Sequence, residues 1–242
     1  MFLFSGISSV GGVAAAALVL AVPDSFRKPA VSSLISYATG ALLGAAFLAV
    51  IPEALEHAPA ATVTAAVLAG MLLFFVLEKL VVWRHCHDHG CEAHRNPGVL
   101  IVLGDGLHNF ADGILIAAAF LASVPLGIST ALATLVHEIP QEAGDFAILL
   151  DSGYSRRKAL LLNVLSALAT PVGTALGYLW LDAARELVPS VLAVSAGSFI
   201  YIATADLIPG LHRQTRLAAS VGQVALIVAG ASTIALLGAH VH

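Results

Sequence analysis

Two stretches of this chain concentrate side chains that could bind a cation. The first is GDGLHNFADG, Gly104 to Gly113, and the second is HEIPQEAGD, His137 to Asp145. Asp105, His108, Asn109 and Asp112 stand at i, i+3, i+4 and i+7. At 3.6 residues per turn they share one helix face. His137, Glu138, Gln141, Glu142 and Asp145 follow at i, i+1, i+4, i+5 and i+8 and cover a wider sector. Two such faces pressed together would enclose a cavity lined by imidazole, carboxylate and amide groups. Imidazole and carboxylate suit Zn²⁺, Fe²⁺ and Mn²⁺. Without thiolates the set is looser than a Cys-rich structural zinc site. A site that must release its ion needs such looseness.

The elements that carry these faces are apolar. The chain is 59% hydrophobic and only 11% charged, far below the roughly 25% charged of a soluble domain. Its mean hydropathy is +0.93. A helix needs about 20 apolar residues to span a bilayer, and the sequence offers eight such runs. They are Phe2–Val22, Val31–Pro52, Ala61–Trp83, Gly98–Ala122, Leu126–Leu150, Ala159–Trp180, Val188–Leu211 and Leu217–Val241. The expected fold is all-α: one transmembrane domain over residues 1–242 with lipid as its solvent. Continuous rather than alternating runs argue against a β-barrel. An ionisable side chain at bilayer depth costs about 2.5–3.5 kcal/mol on insertion scales, so it marks a pathway or a site.

The basic residues orient the bundle. Arg27, Lys28, Lys79, Arg84, Arg95, Arg156, Arg157, Lys158, Arg213 and Arg216 flank the odd-numbered loops, and only Arg185 lies on the other side. The odd loops are therefore expected in the cytoplasm and both termini outside. The first run lacks a preceding basic region and reads as a transmembrane helix rather than a signal peptide. A net charge of −4 is small, and nothing in the chain suggests nucleic-acid binding.

Span two ends in Ile51-Pro52 with Leu55 and His57 beyond, and span seven in Ile208-Pro209 with Leu211 and His212 beyond. Similar segments in opposite orientation suggest an inverted repeat, with spans one to three mirroring six to eight and four and five as a central pair. That arrangement puts Glu53 near the outer mouth and Asp206 nearer the inner one. Pro140 lies within the second ligand stretch and frees a backbone carbonyl that could face a cation. Gly and Ala clusters, such as Gly173–Gly177, fit close helix packing.

Several readings compete. A lone intramembrane His or Asn is often an interhelical hydrogen-bond partner, but nine ionisable or amide groups on consecutive spans exceed that need. Chains of Asp, Glu and His also form proton relays, and protons compete with metals for such ligands. His-Glu-Ile-Pro-Gln is close to the zincin H-E-x-x-H motif, which leaves an intramembrane zinc metallohydrolase as an alternative. Gln141 at the fifth position and Pro140 within the turn count against it. A passive metal channel would use the same ligands.

HNFADG followed by HEIPQEAGDFAILL resembles the signature of the ZIP (Zrt/Irt-like) divalent metal transporters, closest to the subgroup whose second motif reads HEIPHE. The resemblance extends over nearly the whole chain and implies a 3+2+3 inverted-repeat bundle and a homodimer. It also implies transport, not catalysis: Zn²⁺, with Fe²⁺, Mn²⁺ or Cd²⁺ as alternatives, moves into the cytosol as substrate, with no organic cofactor. Its site lies between spans four and five and is often binuclear. By position, His108, Asn109 and Asp112 match ligands in span four, His137, Glu138 and Gln141 match ligands in span five, and Asp206 matches an exit-side position. Asp145 would complete the site or join a second one, and Glu53 and Asp105 would serve the entrance. Glu142 also fits the family pattern. The chain departs from it at Gln141, where His is usual, at Ala46 and Ala49, where relatives often carry Asp and His, and at Thr170, where some carry Glu. These changes remove ligands, leaving open one ion or two and the preference for Zn²⁺.

The loop over 84–97 carries His85, Cys86, His87, His89, Cys91 and His94. A cytoplasmic position keeps its thiols reduced, and a dense Cys/His tract suits metal capture. Its spacing matches no closed zinc finger, so a solvated polar loop is the alternative. Short length suggests the plasma (inner) membrane of a prokaryote.

Overall fold

The computed structural model describes residues 1–86, 97–214 and 216–239, and the elements among them are all helical. They are α1 (Phe2–Ala21), α2 (Asp24–Gly44), α3 (Ile51–His57), α4 (Ala60–Cys86), α5 (Pro97–Ala122), α6 (Val124–Asp151), α7 (Arg156–Ala167), α8 (Ala169–Ala183), α9 (Val188–Tyr201), α10 (Ile208–Leu211) and α11 (Leu217–Ala239). A 3₁₀ turn, Arg185–Leu187, precedes α9. Several helices join end to end, so the described residues form eight rods.

The joints follow from proline. Pro52 and Pro209 lack the N–H that would close an α-turn, and their rings crowd the carbonyl four residues back. Each is preceded by a wide π turn, Ala45–Val50 between α2 and α3 and Ile202–Leu207 between α9 and α10. The last N–H before each proline reaches back five residues: Ile51 donates to Ala46 and Ile208 to Ala203. Pro171 stands in the first turn of α8, and α7 breaks from α8 at Leu168. Ser123 and Ser155 open α6 and α7 by accepting from Leu126 N–H at 3.3 Å and Lys158 N–H at 3.4 Å. Both satisfy one of the orphan donors of a helix start.

Seven rods are long and apolar enough to cross a membrane. The remaining rod is α6, which has ample length at 28 residues but carries His137, Glu138, Gln141, Glu142 and Asp145 from its midpoint onward. The chain is a helical integral membrane protein. Only 11% of the apolar window is buried in α4 and in α11, against 61% in the rod of α2 and α3. Thus α4 and α11 stand at the rim and the kinked rods stand inside.

Small residues set the closest contacts. A Cβ on Gly40 would lie 1.9 Å from the Ile227 carbonyl oxygen, and one on Gly230 2.2 Å from that of Tyr37, which locks α2 to α11. Gly70 and Gly197 do the same for α4 and α9, at 1.9 Å from the Val194 oxygen and 2.1 Å from the Val67 oxygen. Gly113 and Gly173 join α5 to α8 in the same reciprocal way. Backbone contact at this range is what packs helices where lipid removes the hydrophobic drive.

Candidate metal centre

The faces expected on α5 and α6 do meet. His108 Nε2 lies 3.2 Å from His137 Nε2 and 3.5 Å from Glu138 Oε1. His137 Nε2 lies 3.2 Å from Asp112 Oδ2 and 3.5 Å from Glu138 Oε1, and Asp112 Oδ2 stands 3.8 Å from His108 Nε2. Donors about 2.0–2.2 Å from one tetrahedral zinc ion stand roughly 3.3–3.6 Å apart. The separations just given, 3.2 to 3.8 Å, are close to that spacing, and all four atoms lie within 4.8 Å of one another.

Their ligand atoms converge on one point. His137 Nδ1 is 3.1 Å from the Ala133 carbonyl oxygen, which can only accept, so the proton of the neutral ring sits on Nδ1. Nε2 is left as a free ligand, held by its second-shell bond. Asp112 Oδ2 and both oxygens of Glu138 are buried without a hydrogen-bond partner. Acceptors facing acceptors out of water are costly unless a cation lies among them. Aromatic edges fix the two rings: Phe74 packs 5.8 Å from His108 and Phe199 5.8 Å from His137, centroid to centroid.

The other expected ligands lie around this quartet. Asn109 turns its amide nitrogen to Asp105, 3.1 Å from the backbone oxygen and 3.0 Å from Oδ1. Its own oxygen accepts from Thr170 Oγ1 at 2.8 Å. Gln141 Nε2 donates to the same Asp105 Oδ1 at 3.2 Å. As placed, both amides orient Asp105 instead of reaching the quartet. A second group of acids, Asp105, Glu138 and Glu142, also gathers within 4.8 Å. Glu142 was legible at i+4 from Glu138, but sequence does not reveal that both of its oxygens are buried and unpartnered.

A cavity of about 630 Å³ ends on the two imidazoles. Glu78, Asp105, Gln141, Asp145 and Asp206 line it as well. Glu78, a lone carboxylate in the apolar run of α4, was not singled out by sequence; it accepts a hydrogen bond from the Tyr201 hydroxyl. Asp112, Glu138 and Glu53 do not line the cavity. Glu53 stands in α3, where His57 Nδ1 meets its backbone oxygen at 3.1 Å. Within α5 and α6 the lining residues, Ile101 to His108 and His137 to Ile148, occupy the halves that border the segments 87–96 and 152–155. The opposite halves are closed: Leu115 to Ala119 on α5 and Thr130, Ala133 and Thr134 on α6 are at most 1% exposed. His87, His89, Cys91 and His94 lie outside the described residues. Residues 85 and 86 close α4, and their side chains also lie outside what is described.

The ZIP zinc transporter family model matches residues 82–238. The zinc transporter ZIP13 of Pongo abelii is 33% identical over 223 residues, covering 86% of this chain and 67% of that protein. The chain belongs to the ZIP family. It is similar as well to human ZIP10, 38% identical over 139 residues, and to human ZIP4, 46% identical over 112 residues, covering 52% and 46% of this chain. It spans only 17% of the length of each of these two zinc transporters. The match is to a transporter family, not to enzymes, and it takes in both ligand-bearing helices.

Proposed function

We propose that this ZIP family member carries divalent transition metal ions across a bilayer, with Zn²⁺ foremost among Zn²⁺, Fe²⁺, Mn²⁺ and Cd²⁺. The substrate site is His108, Asp112, His137 and Glu138. One observation carries the reading: four ligand atoms, three of them on buried side chains, converge within 4.8 Å of one another, and the carboxylate oxygens among them have no hydrogen-bond partner. Two imidazoles and two carboxylates suit these ions, and the relatives are named zinc transporters. Asn109 and Gln141 support the site through Asp105. Asp145 and Asp206, with Glu78, form the exit side, and Glu53 serves the entrance.

The direction is toward the basic loops, that is, into the cytosol, with both termini outside. It rests on the charge asymmetry and on a cavity that reaches the imidazoles from that side. The closed far side favours a carrier over an open channel. The Gln141 amide, turned to Asp105, is a poor third ligand for a metallohydrolase. The paired π turns before Ile-Pro, and the matching glycine locks of α2 with α11 and α4 with α9, support an inverted 3+2+3 bundle. A homodimer in the membrane and metal capture by the 84–97 tract complete the proposal.

In reconstituted vesicles, wild-type protein is expected to take up radiolabelled Zn²⁺. His137→Ala should lower the rate by well over about tenfold, since even outer-shell changes cost 10–100-fold in metal affinity. Uptake at the wild-type rate in that variant removes His137 from the site.

A further inference from the structure

We propose a binding site for anionic phospholipid headgroups at the end of the bundle where α2 and α11 begin, formed by Arg27, Lys28, Arg213 and Arg216. It does not depend on the transport reading. Gly40 of α2 meets Ile227 of α11, and Gly44 meets Ala231. Residue numbers rise together along the two helices, so they run parallel and their starts lie at the same end. The link before α11 is held there. Gln214 donates to Ser32 Oγ at 2.8 Å, and Gln223 of α11 donates to the Leu211 carbonyl oxygen at 3.2 Å.

This packing brings two basic pairs, far apart in sequence, to one corner. Arg27 and Lys28 precede Ser32 on α2 by about 7.5 and 6 Å along the helix axis. Arg213 and Arg216 flank Gln214, and both are exposed. Among the described residues neither arginine has a carboxylate within ion-pair distance. Residues 20–34 and 207–223 contain one acid, Asp24. Four basic residues against one acid leave a positive patch without its counter-charge. At a membrane face such a patch attracts anionic headgroups, and it acts within about a Debye length of the surface.

The surroundings fit a lipid as the source of that charge. Phe26 is 70% exposed and Leu217 80% exposed, beside the basic residues in sequence. Such groups suit the boundary between headgroup and acyl chain. From the patch α11 rises along the rim of the bundle, where only 11% of its apolar window is buried. The acyl chains of a bound lipid thus have an apolar wall to lie on. Basic residues on this side are general in membrane proteins, so the other cluster is the standard of comparison. Arg156, Arg157 and Lys158 open α7 from a single segment. Asp151 precedes them, and Lys158 Nζ already stands 4.7 Å from the centre of the Tyr154 ring. A headgroup held between Lys28 and Arg213 braces the start of one kinked rod and the end of the other, whose wide turn contains Asp206.

The test uses the full chain in an uncharged detergent, with dioleoyl phosphatidylglycerol or dioleoyl phosphatidylcholine added and the thermal midpoint as readout. Phosphatidylglycerol should raise the wild-type midpoint, and phosphatidylcholine should not. In Arg213→Gln/Arg216→Gln the lipid concentration giving half the rise should increase roughly fivefold for each charge removed. Arg27→Gln/Lys28→Gln should behave in the same way. Arg156→Gln/Arg157→Gln, with the same loss of charge, should respond as wild type. Size-exclusion elution identifies folded variants, and if one patch variant fails to fold the other decides. The site is overturned by a wild-type response in a folded patch variant, by an equal loss in the Arg156/Arg157 variant, or by no preference for phosphatidylglycerol in wild type. An equal rise with inorganic phosphate alone also overturns it, because the occupant would then be a soluble anion.

Discussion

Both sides of this bundle use glycine contacts, but their interiors hold different side chains. Where α2 meets α11 and α4 meets α9, glycines bring backbones into contact and the buried side chains are mostly aliphatic. Where α1, α5, α6 and α8 meet, the interior holds Asp105, Asn109, Asp112, His137, Glu138, Glu142 and Thr170. Several of these carry unpartnered oxygens. The first region gains stability from close packing. The second gives up stability by burying polar and ionisable side chains, the usual trade where a protein keeps groups for a task other than packing. Damage to the two regions should therefore show up in different measurements.

The largest effect is expected on the glycine side. Gly70→Val places branched carbon where a Cβ already stands 1.9 Å from the Val194 oxygen. Overpacking costs about 1–3 kcal/mol and occasionally more, and backbone cannot yield as a side chain does. The thermal midpoint in detergent should fall sharply, and uptake should fall only in proportion to the folded fraction. An unchanged midpoint would break the comparison.

Next is the response to the ion. Zn²⁺ at 100 times its Kd should stabilise wild-type protein by about 2.7 kcal/mol, read as a rise in thermal midpoint that a chelator reverses. The same addition to His137→Ala should give little rise, while its metal-free midpoint stays near wild type. A metal-free collapse of that variant would mean that the polar side also carries stability.

The smallest effect lies at the contact between α1 and the site. A Cβ on Gly12 would come 3.0 Å from Glu138 Cβ, so Gly12→Ala should push Glu138 by a few tenths of an ångström. Zn²⁺ uptake should change several-fold, because ligand geometry is sensitive to displacements of this size. The midpoint should move by less than about 1 kcal/mol. Equal loss in both measurements would blur the division.

Much of this was legible in the residues. Apolar runs located all eight rods, α6 among them as Leu126–Leu150, although its ligands dilute its hydropathy. Helical spacing put His108 with Asp112 and His137 with Glu138, and the structure joins the two pairs. The amides were not legible in this way. Asn109 and Gln141 offer either an oxygen to a metal or an N–H to a carboxylate, and only the position of Asp105 across the helices decides. The Ile-Pro pairs were visible as a repeat, but the π turns before them were not, because a proline can be accommodated by a kink, a break or a wider turn. Pro171 produced a break, and Pro140 stays within a continuous helix.

Those two wide turns have a mechanical meaning. A π turn holds one residue more than its α-helical equivalent, a length of slack wound into the rod. Taking up the slack would advance the segment beyond it by about 1.5 Å and screw it through about 100°. In one rod that segment carries Glu53. In the other the slack itself contains Asp206. Gln214, just past the end of the second rod, donates to Ser32 near the start of the first at 2.8 Å, so the two rods run antiparallel. The bundle thus contains two such screws running antiparallel, each of which would move an acid as it wound or unwound without breaking the helix that carries it.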